Sequence, residues 1–364
     1  MIYAGRIHHN KRHYIDWWLM AFILLLMSFG LVVLFSAGGW VLVKKQIIRL
    51  ALGLVVMLLL AQVKPEKLAG LTPWLYVLTI LLLLAVFFFG YESKGATRWI
   101  KIGIRFQPSE LAKLVIPLMI AWFYRYRILP PDLKSIGISL LILLIPVFLI
   151  FKQPDLGTSI LVAVSGLFVL FLAGLSWKYI LGGLVTLVSA APIMWLFFMK
   201  EYQKQRVLTF LNPTQDSLGS GWNIIQSEIA IGSGGLLGKG WQNGSQTQLD
   251  FLPEHSTDFI LSVLSEEFGL LGVTILLLLY IAIILRGLYI ASQAKDTFNR
   301  LIAGALTLTF FVYLFINAGM ISGLLPVVGV PLPLVSYGGT SIITLMAGFG
   351  MIMSVYNHRK LLKS

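Results

Sequence analysis

The chain has 364 residues, 58% of them hydrophobic and 12% charged, with 28 lysines and arginines against 15 acids and no cysteine. A soluble domain carries about 25% charged residues, so this composition excludes an ordinary soluble enzyme and predicts an all-α polytopic membrane protein. The absence of cysteine excludes disulfides and thiolate metal sites, and the net charge of +13 is dispersed among apolar runs, which points to topology and membrane lipid rather than nucleic acid.

The N-terminal tail GRIHHNKRHY is basic, and its histidines His8, His9 and His13 read as solvated. The apolar run behind it exceeds the roughly 7–15 residues of a signal-peptide core and reads as a retained first span. A bilayer core needs about 20 mostly apolar residues per helix. Ten segments qualify, at 17–37, 45–63, 72–90, 109–124, 134–152, 156–175, 177–199, 259–285, 300–322 and 337–356. Pro117, Pro146 and Pro192 predict kinks inside a packed bundle. No internal repeat of the transporter kind is visible. Lysine and arginine concentrate on the side that holds both termini, at Lys64, Lys67, Arg125, Arg127 and Arg286 among others. That asymmetry predicts both chain ends in the cytoplasm.

Several outer segments carry polar chemistry. Residues 91–108, YESKGATRWIKIGIRFQP, hold four basic residues against one acid on the side where topology disfavours them. Either an anionic ligand or lipid headgroups offset that charge. QPSELAK (107–113) and QPDLGTS (153–159) each place Gln-Pro before a helix, with Ser109 and Asp155 suited to caps and Glu110 and Lys113 spaced to pair. The segment 200–258 is the one large polar stretch and predicts an extracytoplasmic loop between the seventh and eighth spans. Its glycine-rich middle, AIGSGGLLGKGWQNGSQ, fails both phosphate-loop patterns, because Ser233, Leu237 and Gly240 stand at required positions. Turns and close backbone approach are the better use of those glycines.

Asp258 ends this loop within FLPEHSTDFI, where the eighth span begins. Two readings stand: a first-turn acid that stabilises the helix by about 1 kcal/mol, or a functional carboxylate. A helix continued back through Asp258 puts Ser262 and Ser265 near its face at about 100° per residue, with Glu266 below and Glu267 opposite. The last outer segment, GLLPVVGVPLPLVSYGGTS, predicts non-helical backbone at membrane depth, tolerated where it is buried in protein or lines a cavity.

KGATRWI, QPSELAK, QPDLGTS, the run IAIGSGGLLGKGWQNGSQTQLDFLPEHSTDFI and PLVSYGGTS together resemble the SEDS family (shape, elongation, division and sporulation), in order along nearly the whole chain. The short tail and the SQTQLDFLPEHSTDFI form of the motif are most similar to its elongation member. The resemblance implies a single membrane domain over 1–364 in the bacterial plasma (inner) membrane. It also implies a peptidoglycan glycosyltransferase that polymerises lipid II into a growing glycan strand at the outer face. A class B penicillin-binding protein transpeptidase is the implied partner. The family's required aspartate falls on Asp258, as general base, and its diphosphate leaving group calls for cations, for which Arg98, Lys101, Arg206 and Lys239 are candidates. Glu110, Lys113, Asp155, Ser262, Glu266 and Ser336 read as supports of the site. A divalent cation could share the diphosphate's charge, but no ligand set is readable and no other cofactor is implied. Two rival functions remain at this point, a lipid II flippase and a non-enzymatic scaffold for the transpeptidase.

Overall fold

The apolar runs fold as helices. A computed structural model describes residues 15–93, 96–102, 104–199, 201–216, 220–249 and 251–358. Helix α1 spans Trp17–Ala61 and α2 spans Pro65–Phe89. Three short strands follow, β1 (Tyr91–Ser93), β2 (Ala96–Ile102) and β3 (Ile104–Phe106), paired as an antiparallel meander. Then come α3 (Pro108–Phe123), α4 (Leu133–Lys152), α5 (Leu156–Leu172) and α6 (Trp177–Ile193), the last continued by a π-helical turn to Phe198. The polar stretch holds α7 (Glu201–Leu211), α8 (Ser220–Gly234) and the single turn α9 (Ser245–Gln248). Helices α10 (Ile260–Ser292), α11 (Thr297–Ile321) and α12 (Thr340–Asn357) complete the chain. Among the described residues, seven helices are long and apolar enough to cross a membrane: α1, α2, α4, α6 with its extension, α10, α11 and α12.

Two of these helices are broken at glycine. Gly39 in α1 (φ 62°, ψ −170°) and Gly269 in α10 (φ 60°, ψ −160°) occupy a conformation essentially reserved for glycine. The break in α10 shows how the glycine-rich middle of the polar stretch is used. A continuous helix would bond Leu270 N–H to Glu266 C=O and Leu271 N–H to Glu267 C=O. Instead Leu270 and Leu271 donate to the carbonyls of Gly235 (2.9 Å) and Leu236 (3.1 Å). The freed carbonyls of Glu266 and Glu267 accept from the amides of Lys239 (2.9 Å) and Gly240 (3.0 Å). Two helical rungs are thus replaced by four bonds to residues 235–240, where unpaired groups in an apolar bundle would cost several kcal/mol each. A side chain at Gly238 would collide with the Glu267 carbonyl, so only glycine lets the segment come this close.

The bundle centre forms where α1 packs on α12 and α10, α11 on α10 and α5, and α3 on α2 and α5. No described residue of α6 is buried, so this helix stands at the periphery. At one end, Asp16 caps α1 by accepting from the Leu19 amide (2.8 Å), and it pairs with Arg286 of α10 at 2.6 Å. At the other end, the loop 323–339 runs through the protein as irregular backbone, apart from one turn in which Val335 N and Ser336 N donate to Leu332 O (3.3 and 3.0 Å). Side chains satisfy it: Tyr280 Oη donates to Pro333 O (2.6 Å), Gln46 Nε2 to Ser336 O (2.9 Å) and Arg49 Nη1 to Gly338 O (3.1 Å).

Candidate active site

Stretches from across the chain converge on one cavity of about 270 Å³. The β-meander contributes Arg98 and Trp99, and the starts of α3 and α5 contribute Gln107, Glu110, Lys113, Asp155 and Thr158. The turns before α10 contribute Glu254, Thr257 and Asp258; α11 contributes Tyr313, and residues 328–331 and 337–341 close the remaining wall. The two Gln-Pro motifs meet here. Gln107 Nε2 donates to Asp155 Oδ2 (2.9 Å) and to Ser109 Oγ (3.0 Å), while Asp155 Oδ1 accepts from Thr158 N at 3.3 Å as the cap of α5. Gln153, the matching glutamine, turns away and donates to Leu83 O of α2 (2.8 Å).

Four carboxylates line the cavity (Glu110, Asp155, Glu254 and Asp258) together with two cations, Arg98 and Lys113. The cations differ in how firmly they are held. Lys113 Nζ lies 2.7 Å from Glu110 Oε1, with both side chains buried, and sits 5.1 Å from the Tyr313 ring centre. Arg98 Nη1 lies 3.5 Å from Asp155 Oδ1, its side chain is 28% exposed, and its Nε has no hydrogen-bond partner. Lys113 is part of a fixed internal pair, whereas Arg98 faces the open volume through a loose contact.

Asp258 itself is not on a helix. Residues 253–259 form a run of turns and α10 begins at Ile260, so the helical angles that would set Ser262 and Glu266 beside Asp258 do not apply. Neither residue lines the cavity. Ser262 is fully buried with its Oγ unpartnered, and Ser265 donates back to Leu261 O (2.7 Å). Glu266 is fully buried and ties down the polar stretch, accepting from Lys239 Nζ (2.7 Å), Ser245 Oγ (3.0 Å) and Gln246 N (3.2 Å). Lys239 is therefore committed to Glu266 and is no part of the cavity wall. Arg206 lines a separate small hollow with Gln203, Val207 and Val328. The Lys101 side chain lies outside the described residues; its backbone pairs with Arg105 between β2 and β3.

The turn run is pinned through its backbone. Ser256 O accepts from Tyr337 N (2.9 Å), Thr257 O from Ser336 Oγ (2.5 Å) and Asp258 O from Asn317 Nδ2 (2.8 Å). Ser336 Oγ in turn accepts from Leu332 N (2.8 Å). His255, adjacent in sequence, places its two ring nitrogens 2.5 Å from Leu252 O and 2.8 Å from Ala37 O of α1. Glu254 Oε2 accepts from Thr257 Oγ1 (2.7 Å). Sequence patterning did not single out Asn317, a lone amide in an apolar run, or Tyr313. Gln107 stood in a motif, but its bond to Asp155 was invisible. Among the described residues, no group of three or more His, Cys, Asp or Glu side chains is arranged to hold a metal ion.

The family described as cell cycle protein, covering FtsW, RodA and SpoVE, matches residues 16–361. The peptidoglycan glycosyltransferase MrdB of Escherichia coli K12 is 54% identical over 356 residues, which cover 97% of this chain and 96% of that one. The crystal structure of the Thermus thermophilus rod shape determining protein RodA superposes with a TM-score of 0.73 at 30% identity, covering 95% of this chain and 97% of that chain. A chain from the structure of a peptidoglycan synthase complex, described in terms of coordinated polymerization and crosslinking, gives a TM-score of 0.83 at 36% identity, covering 95% and 99%.

Proposed function

The chain belongs to the FtsW, RodA and SpoVE family of cell cycle proteins, and we propose that it is a peptidoglycan glycosyltransferase whose reaction takes place in the Asp258 cavity. The observation that carries this reading is the convergence of Asp258, Arg98 and the two interlocked Gln-Pro motifs on that one space. The substrate is lipid II, a sugar carried on a polyprenyl diphosphate. Asp258 takes the proton from the 4-hydroxyl of the acceptor's N-acetylglucosamine as that oxygen bonds to C1 of the donor's N-acetylmuramic acid. The bond from C1 to the diphosphate oxygen breaks, so an α-linked donor becomes a β-1,4 glycan and the lipid diphosphate departs. A diphosphate is already a good leaving group and needs positive charge more than an acid; Arg98 is the group placed to supply it.

A cavity of about 270 Å³ is small beside the roughly 300–1,000 Å³ of a drug-sized ligand site. It accommodates the reacting hydroxyl, anomeric carbon and diphosphate, while the lipid tails and peptide stems extend into membrane and solvent. The break at Gly39 divides α1 into halves of about 22 residues and about 33 Å each, each long enough to span. Counted so, α1 (twice), α2 to α6 and α10 to α12 make ten crossings of the plasma membrane in one domain. Both termini are then cytoplasmic, and residues 200–258 lie outside, folded back on α10. The partner is a class B penicillin-binding protein transpeptidase, which cross-links the strand as it emerges during elongation.

The test is lipid II polymerisation by the purified complex with Asp258→Asn against the parent. A positioned base contributes about 10²–10⁴-fold, so the variant should fold normally and lose nearly all turnover. Polymerisation at the parent rate would refute the assignment.

A further inference from the structure

We infer that Asn317 of α11 is a positioning residue for the reaction, holding Asp258 at its working place relative to the opposite cavity wall. The inference rests on the reading of Asp258 as general base. Asn317 is fully buried within a helix that is otherwise apolar around it. An unpaired amide in such surroundings is costly, and this one is used on both N–H groups. Its Nδ2 donates to Asp258 O at 2.8 Å and to Val330 O at 2.7 Å, while its Oδ1 has no partner. The amide orientation follows from this pairing, since the reverse would aim an oxygen at two carbonyls.

The two acceptors belong to different segments, and both segments line the cavity. Asp258 closes the run of turns before α10, and Val330 follows Gly329 in the loop between α11 and α12. Gly329 of that loop faces the base: a methyl group built there would lie 3.5 Å from Asp258 Oδ2. One side-chain amide therefore bridges the carboxylate's own backbone and the wall it faces, beyond the bonds that Ser336 and Tyr337 make to Thr257 and Ser256. Asn317 does not line the cavity, so it acts through Asp258 and not on substrate. A displacement of about 1 Å in a reacting group can cost about 10²-fold in rate, so the clamp matters to turnover beyond its contribution to folding.

Two substitutions test this. Asn317→Leu keeps the volume and removes both donors; Asn317→Asp keeps the shape and replaces the donating group with an acceptor. In the lipid II polymerisation assay on the complex, each should lower kcat by about 10–100-fold while KM stays within about 3-fold. In an Asp258→Asn background, neither should reduce the residual rate further, because a positioning residue has nothing left to position. An unchanged kcat, a loss carried mainly by KM, or a full further loss on top of Asp258→Asn would each overturn the inference. So would failure of both variants to fold, which would make Asn317 a support of the bundle. If Asp258→Asn itself polymerises normally, the general-base reading has failed; if only the Asn317 variants do, the failure belongs to this inference alone.

Discussion

At the scale of single residues, the cavity separates two cations that look alike in sequence. Lys113 is sealed against Glu110 at 2.7 Å with both side chains buried. Removing it would leave a buried carboxylate without its counter-charge, which costs about 3–5 kcal/mol. Arg98 touches Asp155 at 3.5 Å and is partly solvated, so that pair contributes little to stability and its guanidinium can turn to an incoming anion. Arg98→Ala is therefore expected to lower kcat/KM by about 10²–10³-fold, as removal of a charge-stabilising donor does, with a melting temperature near the parent's. Lys113→Met is expected to show its effect first as lost stability. Steady-state kinetics and thermal unfolding of the two variants distinguish them, and an Arg98→Ala enzyme with unchanged kcat/KM would remove Arg98 from the diphosphate site. Asp258, Arg98, Glu110 and Lys113, each in a motif that sequence singled out beside a span, line one cavity, and Glu110 and Lys113 pair as their spacing predicts. Sequence misplaced Lys239, because a basic residue in a glycine-rich loop carries no sign of the buried Glu266 that claims it 27 positions later. Asn317 stayed invisible for a related reason: its partners are backbone carbonyls, which every residue has.

At the scale of elements, hydropathy alone located the long helices, since about 20 apolar residues in a row leave few alternatives in a bilayer. The prolines and glycines of 323–341 predicted non-helical backbone that is buried in protein or lines a cavity, and Tyr280, Gln46, Arg49 and Asn317 bond to its carbonyls. The junction between residues 235–240 and the break in α10 was not legible, because a hydrogen-bond exchange between distant backbones leaves no trace in composition beyond a surplus of glycine. That junction predicts the behaviour of Gly269→Ala. The native φ of 60° with ψ of −160° strains any side chain by about 1–3 kcal/mol. The added methyl would also run into Gly238 N and Leu236 C. Helix α10 should then close its own rungs or distort, and in either case residues 235–240 lose their four bonds. Hydrogen exchange is expected to accelerate at Lys239 and Gly240 while Asp258 is retained. Unchanged protection there would mean that the junction does not depend on the glycine.

At the scale of the whole molecule, polar function is gathered at one end of the bundle. The cavity, the pinned turns and the junction at the α10 break lie on the side where the polar stretch 200–258 folds back, and the Asp16–Arg286 pair ties α1 to α10 at the far ends of both helices. A polymerase that draws substrate from the membrane and delivers product outside needs this asymmetry, and the lysine and arginine distribution predicts that this end faces outward. The orientation is open to direct measurement because the chain has no cysteine, so any introduced thiol reports without background. Asn212, just after the polar helix α7, is exposed, and Tyr126, between α3 and α4, is 86% exposed. In intact spheroplasts a membrane-impermeant maleimide should label Asn212→Cys at once and leave Tyr126→Cys unlabelled until the membrane is opened. In inside-out vesicles the order should reverse. Labelling of Tyr126→Cys in sealed spheroplasts would invert the topology and put Asp258 on the cytoplasmic face, where a growing strand has no route to the wall.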